Sequence, residues 1–403
     1  MMVGIETIHI TASSEKCKNQ QNILNPPNMR SWKKQVILLN KLLLIQLLTL
    51  AFQVRVQSGQ SEKPVYLPEF SLQGTDGRIY SNKDFEENDL LAVIFLSNHC
   101  KISQLFQNQL IKIAELLRDK KVAIVAVSPN YEQAILPDEL AYSDLGDSFE
   151  EMKKRAIRMK YNFPYLYDGE KQRLTQRIGV KITPTVYLYD EKRELFYVGR
   201  IGSIDSPNKR ETSELYLAIM RALHEKDVAF KRTKVFGTSI KTKEHLLLAE
   251  QVRKRYADES IKLTHADDRK LEFYLNHKTQ KPKLFYVWQA TDKNARDNLM
   301  KLSFLYKIFR KRGLRLVTVC IAEKKEEKEI LEQLEKAQLS STNFLSHGHH
   351  VAPLAKIIPS EIEKVTPYYR LVGSEGNMLL GKQGEISKDR LRFEILRALN
   401  ENP

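Results

Sequence analysis

Apolar residues along this chain fall into two rhythms. LLAVIFL, ending at Leu96, is an unbroken run of strand-forming residues, as expected of a strand buried on both faces. Beyond it Ile102, Leu105, Phe106, Leu110, Ile113, Leu116 and Leu117 recur at three- and four-residue steps, which predicts an amphipathic helix over 102–118. VAIVAVS (122–128) is a second buried run. Two such strands joined by a helix make a right-handed crossover in a parallel arrangement.

The pattern continues past this unit. Upstream, Asp76-Gly77 marks a tight turn between two short strand-like pieces. Ser148 with Glu151 forms a capping box that opens a helix through Met159. A short strand is expected near 163–167 and a helix over 170–178. TVYLYD (185–190) and ELFYVGR (194–200) alternate about a tight turn and predict a hairpin, and 211–225 a closing helix. The order strand, helix, strand, helix, hairpin, helix describes an α/β sandwich around a mixed sheet.

Residues 226–260 are highly charged and read as a linker with a helix over 243–256. The rhythm then returns. LTHADDRKLEFYL (263–275) resembles a hairpin, KLFYVWQ (283–289) and LRLVTVCIA (314–322) are buried strands, and 295–311 and 325–337 are helical. Residues 366–384 mirror 183–202, and the last helix, 387–399, mirrors 211–225. The expected division is 1–28 outside the fold, a leader over 29–58, a first α/β domain at 62–225, the linker at 226–260, and a second α/β domain at 261–403.

With 403 residues, 42% hydrophobic and 29% charged, the chain is long enough for two cores and has a globular composition. The net charge of +15 includes +5 from residues 1–58. Elsewhere the bases alternate with acids, as in EEMKKRAIRMK, so the charge reads as solvated helix faces and no nucleic-acid partner is expected. Arg30, Lys33 and Lys34 precede QVILLNKLLLIQLLTLAF, whose apolar core of about a dozen residues has the length of an export signal. Val56-Gln57-Ser58 suits cleavage before Gly59; uncleaved, residues 36–52 would serve as an N-terminal membrane anchor. The expected location is periplasmic or extracellular, and Met29 suits the start of such a leader.

Beyond the leader only Cys100 and Cys320 remain. Cys320 sits inside an apolar strand and reads as core. Cys100 stands where a buried strand hands over to a helix. A sulfur there lies near unpaired N–H groups and the positive end of the helix dipole, which favour a thiolate nucleophile. The plain alternative is a small buried hydrophobe. His347, His349 and His350 form a histidine-rich loop, with no carboxylate or thiol near in sequence, so no metal is expected there.

Ser97-Asn98-His99-Cys100, VAVSPN, YSDLGDSFEEMKKRA, FPYLYDGE and Thr183-Pro184 before a strand together resemble the thioredoxin superfamily. More narrowly, they resemble its peroxiredoxin-like alkyl hydroperoxide reductase / thiol-specific antioxidant branch, over about 66–240. The second half resembles a thioredoxin fold through element order, WQAT (288–291) and Thr366-Pro367. The resemblance implies two tandem thioredoxin-like domains. It implies an antioxidant or thiol-disulfide oxidoreductase with Cys100 as nucleophile, and His99, Lys101 and Ser103 as the thiolate's surroundings. Thr183-Pro184 would be a cis ledge pairing with an extended substrate. Peroxide or disulfide would be the substrate, an external thiol the reductant, and no cofactor is implied. Departures are equally specific. Ser103 stands where thioredoxins carry a second cysteine, and Val93 where peroxiredoxins carry a proline; Thr238 interrupts a Gly-Cys-Ser-Ile-Lys phrase of this branch. In the second half the reactive position falls at 292–294, without a cysteine. A non-catalytic polypeptide-binding protein is the alternative function.

Overall fold

A turn at Asp76-Gly77, with Gly77 at φ +89°, folds β1 (Ser71–Gly74) onto β2 (Ile79–Ser81). This computed structural model describes residues 65–224, 231–276, 280–347, 352–356, 358 and 367–400. The leader, His349, His350 and Thr366 lie outside the described residues. Among the described residues no helix is long and apolar enough to cross a membrane.

β3 (Leu90–Phe95) is buried at every position, as an unbroken apolar run requires. α1 (Lys101–Leu116) follows and buries Phe106, Leu110 and Ile113 against it, each worth about 1.5–3 kcal/mol of transfer free energy. β4 (Val122–Ser128) then lies parallel to β3. α2 (Phe149–Met159) starts at the Ser148 capping box, and β5 (Tyr165–Tyr167) adds parallel to β4. After α3 (Arg173–Ile178) come β6 (Ile182–Thr183) and the hairpin β7 (Thr185–Tyr189) with β8 (Leu195–Gly199); α4 (Glu214–His224) covers it.

The region read as a linker is not a free connection. It supplies β9 (Lys231–Arg232), parallel to β8 at the sheet edge, and β10 (Thr238–Ser239), antiparallel to β6. The expected helix follows as α5 (Leu246–Ala257). Two-residue strands carry no apolar run and leave no periodic trace in sequence.

The second half repeats the order. β11 (Leu263–His265) precedes α6 (Asp268–Asn276), where a hairpin was expected. Leu271, Tyr274 and Leu275 share one helix face and pack with Phe344, and Asp267 accepts from Lys270 N at 2.9 Å. That three- and four-residue spacing was the signal to read, not the flanking strand formers. β12 (Lys283–Trp288), α7 (Ala295–Phe309), β13 (Arg315–Ile321), α8 (Glu327–Lys336), β15 (Tyr368–Val372), β16 (Met378–Gln383) and α9 (Lys388–Ala398) follow as predicted, with β14 (Thr342–Ser346) between α8 and β15. The strands β5-β4-β3-β7-β8 and β14-β13-β12-β15-β16 agree in order and in every parallel or antiparallel sense. The fold is thus α/β with two central mixed sheets flanked by helices, both within one compact unit, Pro64–Pro403.

The two halves meet beside the segment that ends at Tyr142. Ala141 is buried in the second core, and Arg312 Nη1 donates to Tyr142 Oη at 3.1 Å. Elsewhere Arg310 forks onto Glu259 with two 2.7 Å hydrogen bonds. The guanidinium holds the Glu259 carboxyl below its usual range. A folded-state value below the unfolded one means stability present above about pH 4.3 and lost as pH falls through the folded value. Glu259→Gln is therefore expected to flatten the acid limb of a stability-versus-pH curve measured by urea midpoints. An unchanged limb would remove this pair from the account.

Candidate active site

Cys100 is the N-cap of α1, with extended backbone at φ −75°, ψ 116°. Its Sγ accepts from Ser103 N at 3.5 Å and donates to Thr183 O at 3.0 Å. An anion formed on this sulfur would face a backbone N–H and the positive end of α1. The contact with Ser103 runs through its amide; the Ser103 hydroxyl accepts from Ser97 N at 3.3 Å. Ser97 Oγ lies 3.0 Å from Thr183 Oγ1, which ties the end of β3 to the ledge. The Thr183-Pro184 bond is cis, as expected.

The flanking side chains turn to other partners. His99 Nδ1 lies 2.7 Å from Asp147 Oδ2, and both side chains are buried. The His99 Nε2 atom is buried without a partner. Lys101 extends over the Tyr142 ring, 4.8 Å from its centroid, and Arg312 covers the same ring at 5.1 Å. Gln104 Nε2 donates to both Asn98 O and Tyr142 O at 3.0 Å, so the first turn of α1 is braced by the 142 region.

Asp147 organises this corner, and sequence reasoning passed over it. It accepts from Asn98 N at 2.5 Å, His99 Nδ1 at 2.7 Å and Asn130 Nδ2 at 2.6 Å. The His99–Asp147 pair spans 48 positions, so no local spacing announces it. The quoted stretch YSDLGDSFEEMKKRA contained the carboxylate, and a buried acid beside a capping box was the available signal.

The ledge also departs from the expectation. Thr183 was to pair with an extended substrate, but β10 already pairs there, with Thr238 opposite Thr183 and Ser239 opposite Ile182. Gly237, at φ +152°, lies so close that a Cβ would meet Thr183 O at 1.8 Å. Cys100 and Thr183 are both 0% exposed beneath this segment.

Cys320 lies in β13 within the apolar cluster of Trp288 and Tyr286, and burial pushes its thiol far above the usual range. At the equivalent junction of the second half, Asp292 accepts from Gln289 N at 2.9 Å in the turn before α7. His347 Nε2 faces His265 Nδ1 at 3.3 Å; among the described residues no group of three or more side chains is arranged to hold a metal ion.

Residues 66–198 match the AhpC/TSA family. No curated protein matches the chain. A hypothetical protein from Sinorhizobium meliloti 1021 is 27% identical, covering 45% of this chain and 96% of its own, with a TM-score of 0.39. An uncharacterized conserved protein from Geobacillus kaustophilus is 27% identical over 46% of this chain and 94% of its own, also at 0.39. Peroxidoxin BcpB from Mycobacterium tuberculosis is 15% identical over 40% and 97%, at 0.30. Residues 66–198, the part that matches the AhpC/TSA family, make up a third of the chain and contain both the helix-capping Cys100 and the cis Thr183-Pro184 bond.

Proposed function

We propose that the protein is a thiol-dependent oxidoreductase in which Cys100 is the nucleophile and an external thiol the reductant. The observation that carries this reading is the seat of the sulfur: capping α1, in contact with the Ser103 amide and across from Thr183. Buried cysteines packed only for volume, such as Cys320, sit among hydrocarbon instead.

The chemistry follows from a single thiol. The Cys100 thiolate attacks one peroxide oxygen; an S–O bond forms, the O–O bond breaks, and the departing oxide takes up a proton as water or alcohol. Sulfur is oxidised to a sulfenic acid while the peroxide is reduced by two electrons. Ser103 provides no second thiol on the helix. An external thiol therefore condenses with the sulfenic acid and releases water, and a second exchanges with the mixed disulfide to restore Cys100. Asp147 orients His99, and with it the backbone on which Cys100 sits. Lys101 acts through Tyr142 by bracing the helix start. The leader's signal pattern supports work outside the cytoplasm, where the external thiol would be met.

Polypeptide binding across the ledge is the weaker reading, because β10 fills that edge. The test is cysteine mapping. The full chain is treated with one equivalent of hydrogen peroxide in the presence of dimedone and digested for mass spectrometry. The adduct is expected on the Cys100 peptide and not on the Cys320 peptide. An adduct on neither, or on Cys320 alone, overturns the proposal.

A further inference from the structure

We infer that the segment 237–241 is a built-in strap that decides which oxidants reach Cys100, admitting small hydroperoxides and excluding polypeptide disulfides. This rests on the reading of Cys100 as the reactive thiol. The edge of β6 offers one row of backbone hydrogen-bonding groups, and a second extended chain cannot use it while β10 is in place. Thr238 and Ser239 occupy that row, and Ile240 N continues it by donating to Lys181 O at 2.9 Å. A polypeptide disulfide that used this row to present its sulfur to Cys100 would have to displace β10. A hydroperoxide needs only a gap a little larger than a water molecule.

The strap is latched at its far end by buried groups. Gln172 Nε2 donates to Lys241 O and to Pro129 O, each at 2.7 Å. Tyr131 N donates to Lys241 O at 2.9 Å, and Lys241 N donates to Asn130 Oδ1 at 2.8 Å. Lys241 Nζ pairs with Glu139 at 2.5 Å, and Ile240 is buried in the cluster that holds Leu174 and Val180. Asn130 uses its amide nitrogen on Asp147, so one side chain joins the latch to the carboxylate that holds His99. At the near end the fit depends on the missing Cβ of Gly237 against Thr183 O. The strap is thus fixed by a steric condition at one end and by hydrogen bonds at the other.

Two substitutions act on different ends: Gln172→Ala touches none of the sulfur's own contacts, whereas Gly237→Val presses on Thr183 O, the acceptor of Cys100 Sγ. Gly237→Val puts a branched side chain where even a Cβ has no room, and Gln172→Ala opens the latch. The measurement compares, for the wild type and both variants, the rate at which Cys100 reacts with a chromogenic peptide disulfide and with hydrogen peroxide. Each variant is expected to speed the peptide reaction at least about tenfold, a change of about 1.4 kcal/mol. For Gln172→Ala the peroxide reaction is expected to stay within about threefold of the wild type; for Gly237→Val the readout is the rise in the ratio of peptide to peroxide rate. Should Gly237→Val fail to fold, Gln172→Ala carries the test alone. Peptide rates equal to the wild type in the folded variants overturn the strap. A rise in peptide rates with no peroxide reaction in any of the proteins keeps the strap and removes the peroxide chemistry.

Discussion

Cys100→Ser is expected to bring peroxide-dependent oxidation of a dithiol down to the uncatalysed background, a loss of about a thousandfold or more. The reason lies in the electron balance. Reducing a peroxide removes two electrons from the nucleophilic atom, which sulfur gives up in forming a sulfenic acid and a serine oxygen does not. The two side chains are close in size, and position 100 keeps its place as an N-cap, for which serine is well suited. Loss of turnover in a protein with unchanged thermal stability therefore reports chemistry alone. Cys320→Ser serves as the control, since that thiol lies within a hydrophobic strand and is held protonated by burial. Turnover is followed by dithiol consumption at fixed peroxide. A Cys100→Ser protein that keeps more than a tenth of the activity removes this thiol from the mechanism.

Asp147→Ala is the second large effect, and it falls on stability. Three donors converge on this carboxylate: the Asn98 amide, the His99 ring and the Asn130 side chain. Each donor left unpaired inside the protein costs about 1–3 kcal/mol. Losses within one network do not add fully, so the total falls short of the simple sum. The expected penalty is therefore about 3–5 kcal/mol in urea denaturation, with a melting temperature lowered on the order of 10 °C. Asn130 would also lose the partner that positions it for Lys241, so peptide-disulfide access should rise alongside. Equal urea midpoints for the variant and the wild type would show that the network holds no appreciable free energy.

The elements nearest the sulfur were legible in sequence because each left a local trace. β3 is an apolar run with no polar break, α1 keeps a three-four spacing for four turns, and α2 begins at a capping box. The place of Cys100 at a helix start followed from the same pattern, and the cis Thr183-Pro184 bond from the resemblance to the thioredoxin superfamily. What escaped is long-range. The partner of His99 lies 48 positions away. The strap meets β6 across 55 positions, through backbone pairing that any sequence without proline there allows. Its one compositional mark is Gly237, whose role appears only once Thr183 O is known to lie beneath it. At 268–276 the error was of a different kind: strand-favouring aromatics outweighed a helical spacing of Leu271 with Leu275, and tertiary contact with Phe344 decided for the helix.

The aromatic ring shared by Lys101 and Arg312 carries a consequence for how this molecule can be divided. Arg312 follows α7 in the half that has no thiol at 292–294, while Lys101 is the residue after Cys100. Severing the chain ahead of β11 would strip Ala141 of its cover and leave Tyr142 with a cation on one side alone. The half without a cysteine at its strand–helix junction is thus a splint for the half that has one. A shortened version would inherit the cysteine but not the firmness of the ground it stands on.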